Sequence, residues 1–212
     1  MPTGTKDFIM RLTNPDAEGM HAPTRVENEV AIISLAATAL SRFNPHVVPS
    51  VYGWGSAAPP SEQGWILQEL MPGAPVDETY DSMSLEEKKG ILSQMASFLK
   101  ALQDFQIPQS IQRYGGVTFD ANSQIVSTAM TSVDSGPWAS YEDYFTDRLQ
   151  RGLQRADSNP YIKGWHANGV RKRLDAFVAS GIPAQFKALE SKLDMSIVHA
   201  DFSKSRSSSR RL

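Results

Sequence analysis

The chain has 212 residues, of which 41% are hydrophobic and 21% charged, a composition typical of a soluble globular protein. Its formal net charge of −2 gives no electrostatic reason to expect a nucleic-acid or membrane partner. It has no cysteine, which excludes disulfides, zinc-thiolate sites and cysteine nucleophiles. The sequence shows neither a signal-peptide core nor a run of about 18 apolar residues, so we expect a cytoplasmic location.

The first third of the chain is typical of a small sheet with one helix. In chain order, the patterns predict a strand at 7–12, a helix at 24–43, and strands at 51–55 and 65–71. Thr24 and Glu27 can form a capping box at the start of the helix. The proline-rich segment 57–64 predicts a hairpin loop between the last two strands.

Helices dominate the remainder. The segment beginning Ser84-Leu85-Glu86-Glu87 is a capping box for a helix that runs to about Phe105. Further on, the patterns predict a small hairpin at 115–126, helices at 140–156, 166–180 and 183–193, and a strand at 195–199. Strands first and helices afterwards predict the α+β class.

Several motifs occur in a fixed order along these elements. Arg11 lies in the first strand, Glu29 lies in the first helix, the third strand ends in Glu69-Leu70-Met71-Pro72-Gly73, and His199-Ala200-Asp201 follows the last strand. This order resembles the aminoglycoside phosphotransferase family, which shares the bilobal protein-kinase-like fold with the choline kinases. The likeness is greatest to the fungal group of phosphotransferase-domain proteins of unassigned substrate, and it spans about residues 6–203.

The resemblance implies a protein-kinase-like fold with a small sheet-containing N-lobe and a mostly helical C-lobe. It divides the chain into a partial N-lobe at 1–71, a hinge at 72–76, a partial helical C-lobe at 77–203 and a basic Ser/Arg tail at 204–212. We expect this tail to be disordered, because its composition cannot bury a core. We also expect the fold to be incomplete, with the chain truncated at both ends relative to the family.

The resemblance also implies roles for individual residues, with ATP and Mg²⁺ as the family's cofactors. Arg11 would pair with the α/β-phosphates and with Glu29, which falls about 60° from the centre of the helix's apolar stripe and can reach inward. The main chain at Glu69 and Met71 would bind the adenine edge. Asp201 would act as the catalytic base toward a substrate hydroxyl.

Each of these residues also has an ordinary interpretation. Arg11 is equally typical of a solvated strand position, and Glu29 of a solvent-facing helix position. Many strands are followed by Pro-Gly, as the predicted strand that ends at Met71 is. A His-x-Asp sequence such as the one containing Asp201 is common at strand ends.

The pattern breaks where the family binds metal. Kinase catalytic loops place an Asn five residues beyond the Asp, and here that position is Arg206, whose guanidinium cannot ligate a cation. The second metal-binding Asp and the Gly-rich hairpin have no counterpart in these 212 residues. We therefore assign no metal ligand and expect negligible phosphoryl transfer. Without the hairpin, the strand containing Phe8-Ile9-Met10 would form an apolar sheet edge.

Three functions remain open at this point. The first is a phosphotransferase that by ancestry uses ATP to phosphorylate a small-molecule hydroxyl and is inactive as this chain. The second is a catalytically dead module that binds a nucleotide or another ligand. The third is an unrelated α+β interaction protein. The expected partner is a small-molecule substrate rather than nucleic acid or membrane, and the oligomeric state is open.

Overall fold

The structure is a computed structural model that describes residues 7–14, 22–44, 46–57, 63–73, 75–132, 134–189 and 195–198. These described residues fall into two units. The first unit contains those up to 14, from 22 to 108 and from 196 to 198, and the second contains those from 109 to 195. The units are defined by packing rather than by function, so the lobes and hinge expected from the sequence stay a prediction.

The first unit is built on a three-stranded antiparallel sheet. Its strands are β1 (Phe8–Leu12), β2 (Val51–Gly55) and β3 (Trp65–Glu69), in the order β1-β3-β2. Both neighbours of the central β3 are antiparallel to it, and Arg11 pairs with Ile66 in the β1–β3 register. The three predicted strands are confirmed, although β3 ends at Glu69, two residues before the predicted end. The predicted loop falls partly on residues 58–62, which lie outside the described residues.

The helix α1 (Ala22–Ala39) packs against β2 and β3 and buries Val26 and Val30 almost completely. This helix was predicted, but it begins and ends earlier than the predicted 24–43. Thr24 is the third helical residue, so the expected capping position for Thr24 is wrong. The helix also ends four residues early, where the Ser41 N–H donates to the Thr38 C=O in a tighter turn.

Two further helices complete the described part of this unit. The short α2 (Val76–Thr79) and the single 3₁₀ turn that follows it, Tyr80–Ser82, were not predicted. The long α3 (Leu85–Gln103) was predicted, and so was its capping box. The Ser84 hydroxyl accepts from the Glu87 N–H at 3.3 Å, and the Glu87 carboxylate accepts from the Ser84 N–H at 2.8 Å.

The described part of the second unit contains a hairpin and three α-helices, in the predicted order. Its elements are β4 (Gly116–Phe119), β5 (Ile125–Thr128), α4 (Tyr141–Ser158), α5 (Val170–Ala176) and α6 (Ile182–Lys187), with a π-helical turn at Phe177–Gly181 between the last two. The helix predicted from residue 166 starts only at Val170, because Gly169 adopts φ +77°, outside the helical region. The helix predicted at 183–193 ends at Lys187.

The strand predicted at 195–199 is wrong for its described residues, because Met195–Val198 forms no strand. A strand is stabilised by hydrogen bonds to a neighbouring strand, and within the described residues none pairs with this segment. The side chains still alternate, with Ile197 7% exposed and Val198 77% exposed. None of the described helices is long and apolar enough to cross a membrane. The cytoplasmic location stays a prediction.

Candidate functional site

The face of the sheet that meets α1 carries a charged pair. Side chains alternate between the two faces of a strand, so Ile9 and Arg11 share a face with Ile66 and Gln68, their partners across the β1–β3 pair. Ile66 is 3% exposed and forms the apolar floor of this face. Arg11 extends from the floor toward the first helix.

The Arg11 guanidinium binds Glu29 of α1. Its Nη1 lies 2.5 Å from Glu29 Oε1 and 3.5 Å from Gln68 Oε1. Arg11 is 47% exposed and Glu29 is 31% exposed, so the pair lies at the rim of the sheet–helix core rather than inside it. The structure thus brings together two residues that the sequence singled out as partners. Their role in binding phosphate stays a prediction.

The second predicted feature is the end of β3. Leu70 follows the strand and is 50% exposed, and its N–H donates to the Asp7 C=O at 3.3 Å. Gly73 has φ +120°, a conformation that side chains strongly disfavour. Within the described residues, the N–H and C=O of Met71 have no hydrogen-bonding partner. The chain therefore leaves the sheet here, and the hinge and adenine-binding roles stay a prediction.

The Glu69 side chain has a structural role that the sequence did not suggest. Its carboxylate accepts a hydrogen bond from the Ser50 N–H at 3.1 Å and lies 2.9 Å from His46 Nε2, while its own N–H donates to the Ser50 C=O. The Ser50 N–H and then His46 lower the pKa of Glu69. Glu69 therefore joins the end of β3 to the residues that lead into β2. No local pattern marks His46 as its partner, because 23 positions separate them.

The proposed catalytic base falls outside the described residues. So do His199, which precedes Asp201, and Arg206 at the position of the family's metal-binding Asn. Within the described residues, no three His, Asp or Glu side chains come together in a way that could hold a metal ion. The structure therefore describes the Arg11–Glu29 ion pair and the end of β3, and the catalytic role of Asp201 stays a prediction.

Comparison with known proteins decides the family. The sequence pattern of the phosphotransferase enzyme family (APH) matches residues 2–205, nearly the whole chain. The chain belongs to this family. The resemblance to the aminoglycoside phosphotransferases is thereby confirmed, together with the α+β, kinase-like class of fold. Transfer of a phosphoryl group is therefore the class of reaction that we consider for this site.

Solved structures similar to this phosphotransferase-family chain include three of WbdD. Monomeric WbdD is 14% identical with a TM-score of 0.29, and the match covers 87% of this chain and 43% of that one. The bifunctional kinase-methyltransferase WbdD is 15% identical with a TM-score of 0.29, covering 87% and 46%. WbdD with the kinase inhibitor LY294002 is 13% identical with a TM-score of 0.28, covering 88% and 43%. The chain thus spans less than half the length of these proteins. Among curated proteins, none matches.

Proposed function

We propose that this protein binds ATP through the Arg11 side chain and the main chain at Glu69 and Met71, and that its lineage phosphorylates hydroxyl groups of small molecules. The observation that carries the proposal is the Arg11–Glu29 ion pair, which joins the strand and the helix across 18 positions of sequence, as the resemblance to the family implies. The family match supports the reaction class.

The free hydrogen-bonding capacity of Arg11 fits a phosphate group. A guanidinium has five N–H donors, and within the described residues Arg11 uses only Nη1. Its Nε and Nη2 donors can therefore serve phosphate oxygens while Glu29 holds the group in place. Because the side chain is 47% exposed, an incoming triphosphate can reach it without displacing any buried contact.

In the reaction we propose for its lineage, the substrate oxygen forms a bond to the γ-phosphorus of ATP as the bond to the ADP oxygen breaks. Asp201 accepts the proton that the hydroxyl loses. Bound Mg²⁺ would neutralise triphosphate charge in the family's reaction. Arg206 stands where a metal-binding Asn is expected and cannot ligate a cation, so we propose that this chain binds nucleotide with negligible transfer.

Calorimetric titration with ATP, with and without Mg²⁺, tests the binding half of the proposal. A charge-assisted hydrogen bond contributes about 1.5–3 kcal/mol, so Arg11→Ala should weaken ATP binding by roughly 10- to 100-fold. The matched control is Arg42→Ala, which removes an exposed arginine of the same unit that packs over Phe43, and it should leave binding unchanged. Failure of the folded protein to bind ATP, or equal effects of the two variants, would sink the proposal.

A single-turnover assay with labelled ATP tests the catalytic half. The acceptors should include a choline-like alcohol and an aminoglycoside, since both carry hydroxyl groups. ATP binding without labelled product is the expected result. Robust product would show that the argument from Arg206 is wrong.

A further inference from the structure

The segment between α4 and α5 contains two asparagines whose side chains fold back onto the main chain. Asn159 Oδ1 accepts a hydrogen bond from the Tyr161 N–H at 2.9 Å, and Asn168 Oδ1 accepts one from the Val170 N–H at 3.0 Å. Each contact is an Asx turn, in which the side-chain carbonyl bonds to the main chain two residues further on. Both asparagines are exposed. The central residue differs, because it is proline in the first turn and glycine in the second.

The central residue decides whether the asparagine can react with its own main chain. Asparagine is among the thermolabile residues, because the next main-chain nitrogen can attack its side-chain amide carbon and close a succinimide ring. Gly169 has the N–H that this attack needs, and it has no Cβ to hinder the close approach. Pro160 has no N–H, so a turn of the same kind cannot close the ring at Asn159.

Two contacts within the Asn168 turn favour ring closure. The Val170 N–H donates to Oδ1, the oxygen that gains negative charge when the nitrogen adds to the amide carbon, and a donor at this position stabilises that charge. The N–H of Gly169 donates to the His166 C=O at 3.3 Å, beyond the usual range of about 2.7–3.2 Å, so its proton is held only weakly. Gly169 has φ +77°, which allows the turn without strain.

We propose that Asn168 is a site of spontaneous covalent modification, at which the folded protein converts asparagine to aspartate and isoaspartate. The Gly169 nitrogen loses its proton to water or hydroxide and forms a bond to Asn168 Cγ. The Cγ–Nδ2 bond then breaks, and Nδ2 takes a proton from water and leaves as ammonia. Water opens the ring at Cγ to give aspartate, or at the main-chain carbonyl carbon to give isoaspartate. The only co-reactant is water.

The two products have different effects on the start of α5. Aspartate keeps the main chain and an oxygen that accepts from the Val170 N–H, now with a charge on the acceptor. Isoaspartate adds a methylene to the main chain between two hydrogen bonds, the one from the Asn168 N–H to the Gly164 C=O at 3.0 Å and the one from the Arg173 N–H to the Gly169 C=O at 3.2 Å. The added length displaces one bonded segment relative to the other, so the first turn of α5 should open.

Peptide mapping by mass spectrometry tests the proposal on the folded protein, incubated at mildly alkaline pH to favour loss of the nitrogen's proton. Asn168 should convert to aspartate and isoaspartate, with the latter identified by enzymatic methylation, whereas Asn159 should stay intact. Asn122 is exposed and is followed by Ser123, whose side chain hinders ring closure, so it should react several-fold more slowly than Asn168. An intact Asn168 in the folded protein would overturn the proposal, whether or not it reacts in the urea-unfolded chain.

Two variants separate the roles of the turn and of the nitrogen. Pro160→Gly gives Asn159 the N–H that it lacks, and Asn159 should then convert as Asn168 does. Continued stability of Asn159 in this folded variant would contradict the role of the turn. Asn168→Gln lengthens the side chain by one methylene, which requires a larger and less favourable ring, and should abolish conversion at this position. Equal rates in Asn168→Gln and the parent would refute the attack by Gly169.

The isoaspartate effect has its own measurement. Asn168→Asp supplies the aspartate product directly, and its amides at the start of α5 should exchange hydrogen as slowly as those of the parent. The fraction that contains isoaspartate should exchange faster at the same amides, because its first turn is open. Equal exchange in the two products would contradict the predicted opening of α5.

Discussion

The contacts of Glu69 give a prediction that can be worked out from the structure. Replacing Glu69 by Ala removes two interactions of a carboxylate that is 21% exposed. The hydrogen bond from the Ser50 N–H, at 3.1 Å, is of the charge-assisted kind and contributes about 1.5 kcal/mol at the lower end of its range, because water reaches the carboxylate. His46 is 59% exposed and adds about 0.5 kcal/mol. The expected loss of unfolding free energy is about 2 kcal/mol.

Two related variants should lose less unfolding free energy than Glu69→Ala does. Glu69→Gln keeps an oxygen that can accept from the Ser50 N–H but loses the charge, so we expect a loss of about 1 kcal/mol. His46→Ala should cost about 0.5 kcal/mol. For a chain of this length, 2 kcal/mol corresponds to a fall of about 4–8 °C in the unfolding midpoint. Tryptophan fluorescence can follow denaturant unfolding, and two of the four tryptophans, Trp54 and Trp65, lie in the sheet of the first unit.

Measuring the stability of the parent and of Glu69→Ala at acidic pH makes this test more specific. The pKa of Glu69 lies below its ordinary value of 4.5, mainly because of the Ser50 N–H and then because of His46. A lowered folded-state pKa contributes stability above the unfolded value, and that contribution is lost as the pH falls through the folded value. The difference between the parent and Glu69→Ala should therefore be full at neutral pH and should shrink below about pH 4.5.

The control for the carboxylate is Glu86→Ala. Glu86 is 81% exposed and pairs with Lys89 on the surface of α3, so its loss should cost at most about 0.5 kcal/mol. The reasoning about the link between β2 and β3 is refuted if Glu69→Ala and Glu86→Ala are equally stable. It is also refuted if the effect of Glu69→Ala is the same at pH 3 and pH 7.

Three further measurements test other parts of the structure. Ser84→Ala removes the capping box of α3 and should cost about 1 kcal/mol in denaturant unfolding, and a neutral result would contradict the capping contacts. Ile182→Ala, at a side chain only 1% exposed, should cost about 2–5 kcal/mol, whereas Ile162→Ala, at a side chain 43% exposed, should cost much less. The pKa of Asp157 is lowered, chiefly by Arg171, so its carboxyl resonance should titrate below its ordinary value in NMR spectra and return toward it in Arg171→Ala.

Local patterns were sufficient for most elements of the fold. The three strands of the sheet, the long helix begun by Ser84 and the β4–β5 hairpin were all predicted, because alternation, helical spacing and capping residues act over a few neighbouring positions. The limits of elements were less accurate. The first helix starts before Thr24 and the third strand stops at Glu69, because such limits depend on where the packed neighbours end.

The partnership of Arg11 with Glu29 was also predicted, but from the family's order of motifs. On helical geometry alone, Glu29 could equally have faced solvent. The segment 195–199 shows the opposite case, in which an apolar run predicted a strand and the described residues form none. A strand needs a neighbour at hydrogen-bonding distance, and the sequence of one segment does not state whether that neighbour is present.

The contacts of Glu69 with Ser50 and His46 depend on the folded sheet, because β2 and β3 must first pair before the residues leading into β2 reach the end of β3. Within the described residues, the strand order β1-β3-β2 similarly places β1 at one side of the sheet, where Phe8, Met10 and Leu12 are about half exposed. Short-range periodicity thus specified which segments form strands and helices. Contacts between distant segments are set by the packing of those elements, since it brings together residues that no local pattern connects.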